Sequence, residues 1–297
     1  MKTMNETRSG QIAIVGRPNV GKSTLLNHLI GEKLSIVSRR AQTTRHRILG
    51  ILTRPDAQYV FVDTPGFQTR YGNALNRAMN RDVRQALAEV DVVLFVVEAG
   101  RFDDRDRVVR QLIPDDRPVI IVVNKIDQCK NKAQLLPFLA RLAGEGRFTA
   151  IVPVSAMRGV QTEALLSETR KHLPNTEWLY GEDEMTDRSE RFLAAEYIRE
   201  KLFRLIGDEL PYVAAVEIEK FVVDGALRRI SAAILVDREG HKPIIIGSGG
   251  AIIKRIASEA RQDMQRMFDG QVFLEVFVKV KSGWADDERM LKTLGYD

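Results

Sequence analysis

Short apolar runs rich in β-branched residues recur through the first half of the chain: QIAIVG from Gln11, RILGIL from Arg47, YVFVDT from Tyr59, DVVLFVVE from Asp91, PVIIVVNK from Pro118 and TAIVPVS from Thr149. None of them alternates apolar with polar positions, so each predicts a strand covered on both faces. With helical stretches between them, they predict a mainly parallel, doubly wound sheet up to about His172. The stretch HLPNTEWLYGEDEMTDRSER that follows is polar and acidic and holds no period, which predicts a linker or an ordered connection. Domain boundaries are accordingly expected at 1–175, with a linker at 176–190 and a second domain at 191–297. That second domain opens on FLAAEYIREKLFRLIG, where Phe192, Ala195, Ile198, Leu202 and Leu205 fall at helical spacing. Two strand-like runs, YVAAVEIEKFVV and RRISAAILVD, then flank a turn at Asp224 and Gly225. A helix pair broken by glycines comes next, and after it QVFLEVFVKVK, in which Val272, Leu274, Val276, Val278 and Val280 share one face.

Composition narrows the class without changing this picture. With 297 residues, 44% of them apolar, the chain can bury two ordinary cores. No run approaches eighteen apolar residues and the opening MKTMNETRSG is polar, so neither an integral membrane segment nor a secretory signal is expected, and the chain is expected in the cytoplasm. The single cysteine, Cys129, excludes an intrachain disulfide framework, and four scattered histidines argue against a structural zinc site. Charge is uneven: 27 basic against 17 acidic side chains up to residue 175, then 18 against 23. The overall +5 therefore cannot locate a polyanion contact.

Chemistry enters with four short elements in order. Residues 16–23, GRPNVGKS, follow a strand and open a helix, the setting of a phosphate loop. Gly16, Asn19, Val20, Gly21, Lys22, Ser23 and the adjoining Thr24 are expected to wrap phosphates with backbone N–H groups. Lys22 supplies a point charge to the β- and γ-phosphates and Ser23 a magnesium ligand. The element Asn124-Lys125-Ile126-Asp127 ends a strand and selects the base: a carboxylate at Asp127 accepts from the ring N–H and exocyclic amine of guanine, donors that adenine lacks in that geometry. At the end of another strand stands Asp63-Thr64-Pro65-Gly66, with Asp63 able to hold magnesium through water and the Gly66 N–H able to meet a γ-phosphate. Ser155 and Ala156 form the fourth element, a loop offering a backbone donor to the guanine carbonyl. In the polar stretch Gln42-Thr43-Thr44-Arg45 one threonine is expected on magnesium in the GTP state, and Thr44 is preferred over Thr43. GTP and GDP with Mg²⁺ are thus the expected cofactors, with Lys22, Thr44, Gly66 and Asn19 nearest the reaction. Phe67 occupies the place where Ras-type enzymes carry a water-orienting glutamine. Slow intrinsic hydrolysis is expected, raised by a partner or by a monovalent cation such as K⁺ held near Asn19, a residue that could equally face solvent.

In the second domain, Ile246-Gly247-Ser248-Gly249-Gly250 places a G-x-x-G turn between two apolar helical pieces, with strands before and after. This is the signature of an α+β KH module, in which the turn admits a nucleic-acid backbone. Lys242, Ile246, Gly247, Ser248, Gly249, Gly250, Lys254 and Arg255 are the expected RNA contacts. The turn itself is uncharged, and Arg261 and Arg266 are also available to compensate. Residues 241–281 hold seven basic against four acidic side chains.

A P-loop domain carrying these elements, followed by a KH module and the ending VKVKSGWADD, resembles the Era-like family of bacterial GTPases over nearly the whole chain. The resemblance implies a P-loop NTPase G domain followed by a smaller KH domain, binding of the 3′ end of small-subunit ribosomal RNA and assistance to small ribosomal subunit assembly. A monomer, with peripheral association at the inner membrane, is also expected. Two other readings stay open: an RNA-binding protein whose nucleotide site only stabilises the fold, and a membrane-anchored transport GTPase, which the lack of a basic amphipathic helix disfavours. The aromatic residues Trp178, Tyr180 and Trp284 could stack on bases or pack.

Overall fold

The computed structural model describes residues 7–38, 40, 43–66, 74–129, 131–207 and 210–295. Two of the residues discussed above, Gln42 and Phe67, lie outside them. The chain divides into two compact units: Met1–Ser35, Thr44–Thr69 and Asn80–Asp187 form one, and Ile36–Thr43, Arg70–Met79 and Arg188–Asp297 form the other.

The first unit contains β1 (Arg8–Val15), α1 (Lys22–Ile30), β2 (Ile48–Arg54), β3 (Ala57–Asp63), most of α2 (Ala74–Glu89), β4 (Val92–Glu98), α3 (Asp104–Arg110), β5 (Val119–Asn124), α4 (Leu135–Ala143), β6 (Ala150–Pro153) and α5 (Thr162–Arg170). Its six-stranded sheet runs β2-β3-β1-β4-β5-β6 and is parallel except for β2, which pairs antiparallel with β3. The expected two-sided burial is present in β3 and β5, which are buried at every position, whereas β6 at the sheet edge is only partly buried along its length and β2 is partly buried or exposed over its last three residues. On one face Ala13, Val15, Val60, Val62, Val93, Phe95, Ile121 and Val123 pack with Val83, Ala86 and Leu87 of α2. At Gly50 a Cβ would stand 2.6 Å from Leu26 Cδ1, which is how closely α1 lies on β2.

The connection is ordered along the outer strands of this unit. Gln58 Oε1 accepts from the backbone N–H groups of Leu179 (2.8 Å) and Tyr180 (3.0 Å), and its Nε2 donates to Tyr180 O at 2.9 Å. Ile51 N donates to Met185 O (2.9 Å) and Thr186 Oγ1 to Leu49 O (2.7 Å).

The second unit contains α6 (Glu190–Leu205), β7 (Ala214–Asp224), β8 (Leu227–Val236), α7 (Lys242–Ile246), α8 (Ala251–Met267), β9 (Gln271–Val280) and α9 (Glu288–Thr293). β8 is central, antiparallel to β7 and parallel to β9. The inner face of this sheet packs Ala232 and Ile234 of β8 and Val272 and Val278 of β9 on Tyr197, Ile198, Leu202, Ile256 and Ala260 of α6 and α8. On the outer face Ala233 and Leu235 meet Trp284, Met290, Leu291 and the start of α2 at Ala74, Leu75 and Met79. Trp284 is therefore a core residue; its Nε1 donates to Val213 O at 3.0 Å.

The residues at helical spacing do form α6, but its buried surface is wider than that apolar stripe, because Glu196, Arg199, Glu200 and Lys201 are buried as well. Arg199 donates to Glu196 at 2.6 and 2.8 Å, and Lys201 pairs with Asp263 of α8. Charges buried in this way are matched by partners, one of them 62 residues away, which a local period cannot register.

Candidate nucleotide site and nucleic-acid interface

The loop after β1 is shaped by glycines. A Cβ at Gly16 would lie 2.3 Å from Val96 O, and one at Gly21, whose φ is +100°, would lie 2.3 Å from Asn124 Nδ2. Only glycine fits at Gly21. Between them Asn19 is exposed at the loop crest with φ 65°, and Val20 is fully buried. Gly21 precedes α1 without a side-chain cap and no acidic residue stands in the first turn, so the N–H groups at this helix start face the loop, beside Ser23 and Thr24, in a setting suited to an anion. Lys22 is buried and its Nζ donates to Gly16 O (3.0 Å) and Arg17 O (3.2 Å). Burial lowers its pKa to about 8; Asp63 works against that shift and Arg17 adds to it.

Three oxygens expected on magnesium converge. Ser23 Oγ donates to Asp63 Oδ2 at 2.9 Å and lies 2.9 Å from Thr44 Oγ1. Sequence reasoning missed Ser35, whose hydroxyl donates to the same Asp63 oxygen at 2.8 Å; nothing distinguishes this serine in the sequence. The second carboxylate oxygen, Asp63 Oδ1, is buried with no hydrogen-bond partner. Burial raises the Asp63 pKa, against the opposing pull of Lys22 and the three hydroxyls. A hard divalent cation fits this donor set: it would give the orphaned oxygen a partner and hold the carboxylate ionised. Thr43 points elsewhere, its Oγ1 2.6 Å from Ser38 Oγ and donating to Arg40 O at 2.8 Å. Gly66 closes the same corner, where a Cβ would stand 3.1 Å from Pro18 Cγ.

At the other end of the loop, Asn124 works as a structural clamp. Its Nδ2 donates to Val20 O (2.9 Å), and its Oδ1 accepts from Lys125 N (2.8 Å) and Ala156 N (2.9 Å). The Ala156 N–H expected for a base carbonyl is thus engaged by Asn124, and a carbonyl could reach it only by sharing. Lys125 takes a left-handed conformation, φ 66°, which turns the chain so that Asp127 Oδ1 accepts from Ser155 Oγ at 2.6 Å.

In the second unit α7 and α8 meet at the glycine turn. Gly247 (φ 73°) would drive a Cβ to 2.6 Å from Ile252 Cγ1, whereas Gly249 (φ 57°) and Gly250 (φ 78°) have nothing within 4 Å. Ser248 and Lys254 are exposed, Lys242 is half-buried and Ile246 packs partly on the core. Of the basic residues expected to compensate for the uncharged turn, Arg255 donates to Glu259 at 2.8 Å and Arg266 pairs with Asp263, so their charge is partly matched.

Residues 11–125 match the family described as a 50S ribosome-binding GTPase, and residues 209–285 match the KH domain. The chain is 57% identical over 288 residues to GTPase Era of Chromobacterium violaceum, covering 97% of each. It is equally identical over 290 residues to GTPase Era of Nitrosomonas eutropha, covering 98% of each. Among solved structures, an Aquifex aeolicus Era variant bound to GDP and aluminium fluoride superposes with a TM-score of 0.94 at 39% identity, covering 98% of this chain and 99% of that one. A structure of Era with MgGDPNP and nucleotides 1506–1542 of 16S ribosomal RNA gives the same score, identity and coverage.

Proposed function

We propose a function from one premise: the chain belongs to the GTPase Era family. As a member it binds GTP and GDP with Mg²⁺ and hydrolyses GTP. On that basis it is a switch that captures the 3′ end of small-subunit ribosomal RNA through its KH domain and assists assembly of the small subunit. The observation that carries this is a single chain holding both a phosphate loop with a convergent Ser23, Thr44 and Asp63 and a glycine turn that is open at Gly249 and Gly250.

The convergence of Ser23, Thr44 and Asp63 and the burial of Lys22 support the roles we assign. Lys22, protonated, meets the β- and γ-phosphates after leaving Gly16 O and Arg17 O. Ser23, Thr44 and Asp63 hold magnesium, which supplies charge compensation on the phosphate oxygens. The Gly66 N–H serves the γ-phosphate and Asp127 the guanine edge. Phe67 cannot orient water, so intrinsic hydrolysis is slow and rises with K⁺ held near the exposed Asn19. Fast turnover in sodium-only buffer without a partner would defeat that part. In the second domain, Gly249 and Gly250 leave room for a strand of RNA to approach, and Lys242, Lys254 and Arg255 meet its phosphates.

The test is RNA-oligonucleotide affinity of the whole protein with GDP and with a non-hydrolysable GTP analogue. Asp127→Asn, which is expected to weaken guanine binding about 10³-fold and favour xanthine, is the specificity control. Tighter RNA binding in the GTP state is expected; equal affinity in both states defeats the switch and leaves an RNA-binding protein with an attached GTPase. We further propose a monomer with peripheral inner-membrane contact. Among the described residues no helix is long and apolar enough to cross a membrane. A dimer in sedimentation, or no recovery with anionic vesicles, would overturn the respective point.

A further inference from the structure

The sheet order places β4 between β1, which leads into the phosphate loop, and β5, which leads into the base-recognition motif. The last residue of β4 is Glu98, which lies directly beside Asn124 in the β4/β5 register. One oxygen of its carboxylate, Oε2, stands 3.0 Å from Arg17 Nη2 and 3.4 Å from Lys125 Nζ. Arg17 is the second residue of the phosphate loop, and Lys125 follows the asparagine of the base motif. The carboxylate is thus shared by one cation from each nucleotide-binding loop.

The rest of the network is buried. Arg17 is buried, and its Nε donates to Asp106 Oδ1 at 3.2 Å. Asp106 is fully buried and its other oxygen accepts from Asp103 N at 3.0 Å in the capping box that starts α3. Arg17 therefore cannot swing away from Glu98 without leaving a buried carboxylate unmatched, which is costly. Lys125 is held less firmly: its backbone is left-handed and its side chain is about a quarter exposed, with Glu98 as its ion-pair partner. The fixed end of the chain of charges lies at the phosphate loop and the adjustable end at the base loop.

We propose that Glu98 is a positioning residue that ties the base loop to the phosphate loop through Lys125, and so sets how long a guanine nucleotide stays bound. Its action is indirect, on where Lys125 stands relative to the fixed Arg17. Releasing the base loop requires the Glu98–Lys125 pair to open, and a protein that places a cation against the 28%-exposed Glu98 carboxylate would promote that release. The inference rests on residues 16–23 and 124–127 forming the nucleotide site.

The test is the dissociation rate of a fluorescent GDP from the full chain. Glu98→Gln keeps the shape and removes the charge; it is expected to raise the rate about ten-fold, the equivalent of one charged hydrogen bond. Glu98→Asp, charged but one methylene shorter, should fall between the two. In a Lys125→Met background the Glu98→Gln change should add less than about two-fold, because the partner through which Glu98 acts is gone. A merely structural role would instead give equal factors in both backgrounds with a matching fall in the melting temperature of the nucleotide-free protein, and that result overturns the proposal. An unchanged rate in Glu98→Gln overturns it too. Failure of the unsubstituted protein to bind the fluorescent GDP would defeat the assignment of the site itself, which separates the two outcomes.

Discussion

Two glycine-rich loops in this chain end at helix starts, residues 16–21 before α1 and residues 247–250 before α8, and they solve different problems. In the first, the protein itself crowds the glycines: Val96 O and Asn124 Nδ2 would each meet a Cβ at 2.3 Å, and a buried lysine points back into the loop. In the second, Gly249 and Gly250 face open space and the turn carries no charge. A small polyanion that must be surrounded needs a prebuilt cage with its own cation. An extended strand approaching from outside needs a bare backbone and clearance.

The contrast can be broken or sharpened in four ways. The largest effect is expected from Lys22→Ala, which removes the cage's charge and should lower kcat/KM for GTP by roughly 10³-fold while leaving RNA affinity of the GDP form within about two-fold. Gly249→Asp tests the opposite loop. Aspartate tolerates a left-handed backbone but adds an anion to the turn proposed to admit RNA, so RNA affinity should fall about ten-fold with GTP hydrolysis unchanged. If hydrolysis falls as well, the two loops are not independent.

The third concerns pH. The Lys22 pKa is near 8 in the folded protein, below its ordinary value of 10.5, so the unfolded chain binds this proton more tightly. Between pH 8 and pH 10.5 the Lys22 contribution therefore makes the protein more stable as pH rises, the cost of burying a charge being relieved. Phosphates require the charged form. Nucleotide affinity should accordingly fall by roughly five-fold between pH 8 and pH 9, measured by fluorescent GDP titration. The smallest effect is expected from Gly249→Ala. With nothing within 4 Å to meet the methyl, only the left-handed φ is charged against it, about 1 kcal/mol in thermal denaturation.

Much of this was legible in the residues. Unalternating apolar runs announced the strands buried on both faces, and glycines at fixed spacing announced both loops, because each feature is local along the chain. What escaped was set by partners distant in sequence. The convergence of Ser35 on Asp63, 28 residues apart, leaves no mark in either segment. The choice between Thr43 and Thr44 turned on which hydroxyl faces Ser23, a matter of loop path. The buried charges of α6 disguise a core helix as a half-exposed one, and Trp284, open to either reading, fills a core assembled partly from Ala74, Leu75 and Met79. The stretch at 176–190 left a linker and an ordered connection both open, because the bonds that order it run from its backbone and Thr186 to Gln58, Ile51 and Leu49, which composition cannot report.

That stretch has a consequence for the protein's solubility. A sheet whose outermost strand shows bare amides and carbonyls invites edge-to-edge association with other chains. Here β2 is the outermost strand on one side, and Met185 and Thr186 occupy its Ile51 amide and Leu49 carbonyl. On the other side β6 is only four residues long and ends in Pro153. One flank is shielded and the other is cut short, so the segment joining the two domains doubles as a guard against aggregation.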